Sequence, residues 1–127
     1  MRPRLKLWIE TEDGRVALSE WRVSLLRAVG QHGSLVAAAR ALRIPHRTAW
    51  QRIQEMESSL GVRLLETTTG GAGGGGSSLS PAARDFIQRY EQLRAGLDDL
   101  VDQRFQQGFR RVRAATDQPT APSVQVE

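Results

Sequence analysis

Cysteine is absent from the 127 residues, which removes disulfides, thiolate nucleophiles and thiolate metal ligands together. Lysine occurs once, at Lys6, so no Gly-Lys-Ser/Thr phosphate-binding loop is possible downstream of it. Histidine is limited to His32 and His46, in separate segments and without metal-ligand spacing. No apolar run approaches the ~18 residues needed to span a bilayer. The opening "MRPRLKLWIETEDG" lacks the apolar core of a secretory signal, and the expected location is cytoplasmic. Basic residues are missing from the last fourteen positions, which carry only Asp117 and Glu127. With prolines and small polar residues there, positions 114–127 are expected to be a disordered tail.

What remains is an ordinary globular composition, 39% hydrophobic and 25% charged, with a net charge of +4 that is unevenly placed. Four arginines and no acid lie between Arg40 and Arg52, with His46 among them. A basic stripe of this kind is a nucleic-acid signal when it lies on one helix face, and a solvated surface otherwise.

Alternation over Leu5, Leu7 and Ile9, a turn at Asp13-Gly14, and renewed alternation at Val16 and Leu18 predict a β-hairpin over 5–18. Ser19 is placed to cap a helix whose apolar residues are Trp21, Leu25, Leu26 and Val29, ending at Gly30 or Gly33. Ser34 can cap a second helix striped by Leu35, Ala38, Ala39 and Leu42. After the break Arg43-Ile44-Pro45, with Pro45 at the first helical position, a third helix buries Ala49, Ile53, Met56 and Leu60 and stops at Gly61. Val62, Leu64 and Leu65 make a short strand into the threonines, and Ser77 to Leu79 allow a returning one. Ser80-Pro81 then begins a long helix with Phe86, Tyr90, Leu93, Leu97 and Leu100 at coiled-coil spacing, which predicts dimerisation. Gly96 and Gly108 weaken it by roughly 1 kcal/mol each relative to alanine.

This order predicts a mainly α fold with small β, a winged helix-turn-helix followed by a long C-terminal dimerisation helix. Residues 1–80 form the DNA-binding domain, with the helix-turn-helix at 34–60 and the wing at 62–80; residues 81–113 form the helix. In such domains the second helix of the pair enters the major groove. Its unburied face offers His46, Arg47, Thr48, Gln51 and Arg52. Arginine can bond guanine, glutamine can bond adenine, and threonine can bond phosphate or meet a thymine methyl. Ser34, at a helix N-terminus, and Arg43 are expected at the DNA backbone. Trp50 lies between the two faces, and is expected to pack against the first helix or the hairpin rather than stack on a base.

Gly71 to Gly76 formally satisfies G-x-G-x-x-G, but the βαβ unit that a dinucleotide site needs is missing. A linker should separate two folding units, whereas a single helix follows Pro81. As a wing tip the run has a rationale: backbone without side chains can approach the sugar-phosphate chain and donate amides to it. Gly70, Gly71, Gly73, Gly74, Gly75 and Gly76 are therefore expected at the DNA backbone, with hydroxyls from Thr67, Thr68 and Thr69.

The stretch "GSLVAAARALRIPHRTAWQRIQEMESSLGVRLLETTTGGAGGGGSSLSP" resembles the DNA-binding domain of molybdate-responsive regulators, the ModE family, and more distantly the N-terminal domain of LysR-type regulators. The alanine-rich helix, Ala49-Trp50, and "ET" before a GGxGGGG tip carry the resemblance, which covers roughly 5–93. It implies a homodimeric transcriptional regulator on double-stranded DNA with a palindromic operator, controlling molybdate transport or molybdenum-enzyme genes. In that family separate β-rich modules sense molybdate, and none of their pattern follows Arg113. Sensing is then absent or supplied by another chain, the chain being either a short relative or one cut before the sensor. One departure concerns Ile44, which cannot cap with its side chain, so the next helix starts less rigidly or one residue later.

No enzyme is expected. The serines sit mostly at caps, no carboxylate pair is placed by a motif, and neither a cofactor nor a metal site is expected. The alternative is a helical oligomerisation or nucleoid-associated protein without a specific operator, which leaves the arginine stripe and the glycine tip unexplained.

Overall fold

The computed structural model describes residues 1–68 and 76–115. Among these, four strands and five helices follow in the order β1 (Trp8–Glu10), β2 (Val16–Ser19), α1 (Glu20–His32), α2 (Leu35–Leu42), α3 (His46–Leu60), β3 (Leu65–Thr68), β4 (Gly76–Leu79), α4 (Pro81–Arg94) and α5 (Leu97–Ala115). They fall into two compact units, Lys6–Ala95 and the remainder, Met1–Leu5 with the residues from Gly96 onward. The architecture is the mainly helical winged helix-turn-helix that the residue pattern predicts, and a long C-terminal helix is present.

In the larger unit, β1 and β2 pair antiparallel, with Ile9 opposite Leu18 and an irregularity between Ile9 and Glu10. Gly14, at φ 84°, closes their turn, its amide bonded to the Thr11 carbonyl at 2.9 Å. Thr11 and Arg15 both hydrogen-bond the Asp13 carboxylate, holding it below the usual carboxylate range. Ser19 caps α1 by accepting from the Arg22 amide at 3.2 Å.

Helix α1 is the hub: Val23, Leu25, Leu26, Ala28 and Val29 are all buried. Trp21 does not join them; it is 40% exposed, because the inward stripe begins at Val23. Gly33, in the left-handed region at φ 79°, ends the helix. Gly30 lies within it, where an added Cβ would stand 3.0 Å from Leu79 Cδ1, so its bare backbone admits the wing strand.

Ser34 caps α2 through the Ala37 amide at 3.0 Å. Leu35, Ala38 and Ala39 face the core, the alanines keeping the helix surface thin. Arg43 ends α2 at φ 58°, a left-handed position without glycine, and its amide bonds back to the Arg40 carbonyl. Pro45 is the residue before α3 rather than its first; its φ of −60° and ψ of 141° are extended, and no side chain caps the helix. The start therefore falls one residue later than a proline at the first helical position would put it. Ala49, Ile53 and Met56 are the buried face of α3.

The wing strand begins at Leu65, with Val62 ahead of it and Leu64 fully buried in the core. Thr67 pairs with Ser77 and Thr68 with Gly76, so 69–75 connect the two strands. Ser80 caps α4 through the Ala83 amide at 3.1 Å, with Pro81 at its first position.

The helical stretch from Pro81 is two helices. It breaks at Ala95-Gly96, where Gly96 takes φ 79° and Ala95 leaves helical geometry. Tyr90 belongs to the core of the larger unit, at 2% exposure, and its hydroxyl donates to the Leu7 carbonyl at 2.7 Å. Phe86 packs against that core too. Both are thereby withdrawn from the expected dimerisation stripe, of which Leu93 and Leu100 remain exposed and Leu97 half-exposed. In the smaller unit, the Phe105 and Phe109 rings stack along α5 with centroids 4.9 Å apart. Of the expected tail, 114 and 115 end α5, and 116–127 lie outside the described residues.

Candidate nucleic-acid interface

Helix α3 presents three strips. Its buried strip holds it on α2 and β2. Arg47 and Gln51, one turn apart, lie exposed on the side away from the core. His46, Trp50, Ile53 and Glu57 line a cleft of about 470 Å³ that the helix shares with the N-terminus of α2 and the wing. Ser34, Leu35 and Val36 contribute from α2, and Arg63, Leu65, Thr67, Gly76 and Ser77 from the wing side.

Two bonds tie the wing to the helices, and a third closes its base. The Ser77 amide donates to the Gly33 carbonyl at 2.9 Å, fixing β4 to the α1–α2 turn. The Leu64 amide donates to Glu57 Oε2 at 2.7 Å, fixing the approach to β3 to the last turns of α3. Ser80 Oγ donates to the Arg63 carbonyl at 2.7 Å, closing the hairpin base. The Glu57 carboxylate, a liability beside phosphate, is occupied by these contacts, with Gln54 Nε2 at 3.4 Å on its other oxygen.

Of the residues expected to read bases, Arg47 and Gln51 are exposed, His46 is at the cleft, and Thr48 is half-buried. Arg52 is paired within α3: its Nη1 bonds Glu55 Oε1 at 3.0 Å, and Arg22 of α1 holds the other oxygen of that carboxylate at 3.0 Å. Among the expected backbone contacts, Ser34, Thr67 and Gly76 line the cleft, and Arg43 is exposed in the turn ahead of α3. Ser34 Oγ accepts the capping bond from the Ala37 amide, and its hydroxyl proton joins the first helix amides as a donor there. Thr68 lies in β3, while Thr69, Gly70, Gly71, Gly73, Gly74 and Gly75 lie outside the described residues.

The sequence pattern did not single out Val36, Gln54, Glu57 and Arg63 at the cleft, and it expected Trp50 against the first helix or the hairpin. Trp50 lines this cleft beside Val36 of α2 and keeps about half its surface, 52%, exposed, as Val36 does at 51%. The four-residue step from His46 through Trp50 to Gln54 was the available signal. Among the described residues no group of three or more His, Asp or Glu could hold a metal, and no helix is long and apolar enough to cross a membrane.

Residues 22–84 match the family model described as "Bacterial regulatory helix-turn-helix protein, lysR family". The chain carries a LysR-family helix-turn-helix DNA-binding domain. That stretch runs from the start of α1, through the cleft and wing, into the first turn of α4. The chain is also 38% identical over 80 residues to "Molybdenum-pterin-binding protein MopB" of Rhodobacter capsulatus, covering 63% of this chain and 30% of that relative. It thus spans less than a third of that protein's length. The BenM_DBD/benA site 1 DNA complex is similar at 25% identity and a TM-score of 0.50, over 72% of this chain and 95% of that one. The CbnR_DBD–DNA complex has 24% identity and a TM-score of 0.48, over 76% of this chain and 97% of that one.

Proposed function

We propose that this chain binds a specific double-stranded DNA sequence as a homodimeric regulator of molybdenum-related genes, on a palindromic operator. The observation that carries base reading is the exposed pair Arg47 and Gln51 on the outer side of α3, within a LysR-family domain. An arginine and a glutamine one turn apart can address guanine and adenine edges together. The wing supplies phosphate contacts through Thr67 and its glycines, which position the domain without reading sequence. Dimerisation is assigned to α5, where Leu100 and Phe109 stay exposed in their unit. A two-fold protein then matches a two-fold operator.

The molybdenum setting is supported by the likeness to MopB, and by the resemblance of 5–93 to molybdate-responsive regulators. The sensing modules correspond to none of residues 1–127, and this reading places sensing outside them. The test is selection of bound sequences from random duplex DNA, with and without molybdate. A palindromic sequence is expected, with a profile that molybdate leaves unchanged. Uniform recovery of all sequences would replace this reading with that of a nucleoid-associated protein.

A further inference from the structure

The cleft beside α3 has an apolar wall that phosphate chemistry leaves unused. Trp50 of α3 and Val36 of α2 both line it, and each keeps about half its surface exposed, at 52% and 51%. Large apolar side chains left in water on a binding face mark contact surface. This wall adjoins the base-reading strip: Trp50 precedes Gln51 directly and lies one turn from His46. Arg63 and His46 at the same cleft supply positive or hydrogen-bonding groups for the flanking phosphates. Of the groups that the major groove presents, only the C5-methyl of thymine is apolar.

We infer that Trp50, backed by Val36, reads a thymine C5-methyl group, making it a specificity-determining residue beside Arg47 and Gln51. The inference rests on the DNA-binding reading above and adds the base class to it. An indole edge against a methyl group excludes water from both, whereas cytosine at the same step carries only a hydrogen at C5 and leaves that contact unmade. Val36 limits where the indole can lie, since the two side chains share one cleft from different helices.

The experiment uses the complete chain and the duplex enriched in the selection above. Each thymine is replaced singly by uracil, which removes only the methyl group. Affinity is expected to fall about fourfold at one position per half-site, the worth of one buried methyl group. In Trp50→Ala protein the same replacement is expected to change nothing, as a double-mutant cycle requires. Trp50 emission, read in protein carrying Trp8→Phe and Trp21→Phe, is expected to shift to the blue with that duplex. If uracil is tolerated at every position, or the Trp50 emission is unmoved while binding stays tight, the methyl contact is refuted and the DNA-binding reading stands. If no duplex is enriched, the sequence-specific reading itself fails and the contact falls with it.

Discussion

Glu57 Oε2 accepts a hydrogen bond from the Leu64 amide at 2.7 Å, joining the last turns of the recognition helix to the approach of the wing. Leu64 is fully buried, so its amide has no water to fall back on. Glu57→Ala is expected to lower stability by about 1–3 kcal/mol, the cost of an orphaned buried donor or acceptor. A lower urea midpoint at unchanged slope checks this. Glu57→Gln keeps an acceptor oxygen and should lose less; equal losses for the two would deny the bond its role.

Ser80 works harder than the other capping serines. Its hydroxyl accepts from the Ala83 amide at 3.1 Å and donates to the Arg63 carbonyl at 2.7 Å, and the residue is buried. Ser19→Ala and Ser34→Ala each remove a cap worth about 1 kcal/mol. Ser80→Ala should cost about twice that, because it also strands the Arg63 carbonyl. Thermal unfolding of the three variants side by side ranks them, and a Ser80 variant no worse than the others would count against the double role.

Tyr90 is the chain's one tyrosine. Burial pushes its hydroxyl above the ordinary value, and the nearby Glu20 carboxylate pushes it further. The folded state thus holds the phenolic proton after the unfolded chain has released it near pH ~10. This contribution to stability is full below that pH and is lost as pH rises through the folded value. Unfolding free energy should fall more steeply above pH ~10 in the native chain than in Tyr90→Phe. At neutral pH that variant should be weaker by about 1 kcal/mol, for the lost bond to the Leu7 carbonyl. Identical alkaline slopes would remove Tyr90 as the source.

Base reading by α3 has its own signature. Arg47→Ala and Gln51→Ala should each reduce discrimination between the selected duplex and random DNA by about 1–3 kcal/mol. Equal losses on both DNAs would make these residues phosphate contacts instead. Arg52→Ala should do less to discrimination, because its guanidinium is paired with Glu55.

Much of this was legible because local rules decide it. Ser19, Ser34 and Ser80 cap the helices that their positions suggest, and Gly33 and Gly61 end theirs in the left-handed region. The buried strip of α3 at Ala49, Ile53 and Met56 follows from helical spacing alone. Tyr90 and Trp50 show where spacing runs out. Each sits at the edge of an apolar pattern, and helical periodicity does not say which neighbour will cover it. Tyr90 found the Leu7 carbonyl 83 positions away; Trp50 faces a cleft whose far wall is a hairpin later in the chain. Arg52 pairs with Glu55 three residues on, which helical spacing allows, whereas the arrival of Arg22 from α1 at the same carboxylate is a matter of the fold.

By itself the amino-acid sequence determined the element order, the caps and which face of each helix is apolar, because hydrogen-bond geometry and helical periodicity act within a few residues. It also held the arginine stripe and the glycine run that point to DNA. Only the tertiary structure decided how those pieces are shared out. It bonded Arg22 of α1 to Glu55, and took Tyr90 into the core with Phe86 packed against it. It also left Trp50 and Val36 bare in one cleft. Those outcomes depend on contacts between segments far apart in the chain, where the deciding term is which surface another element happens to bury.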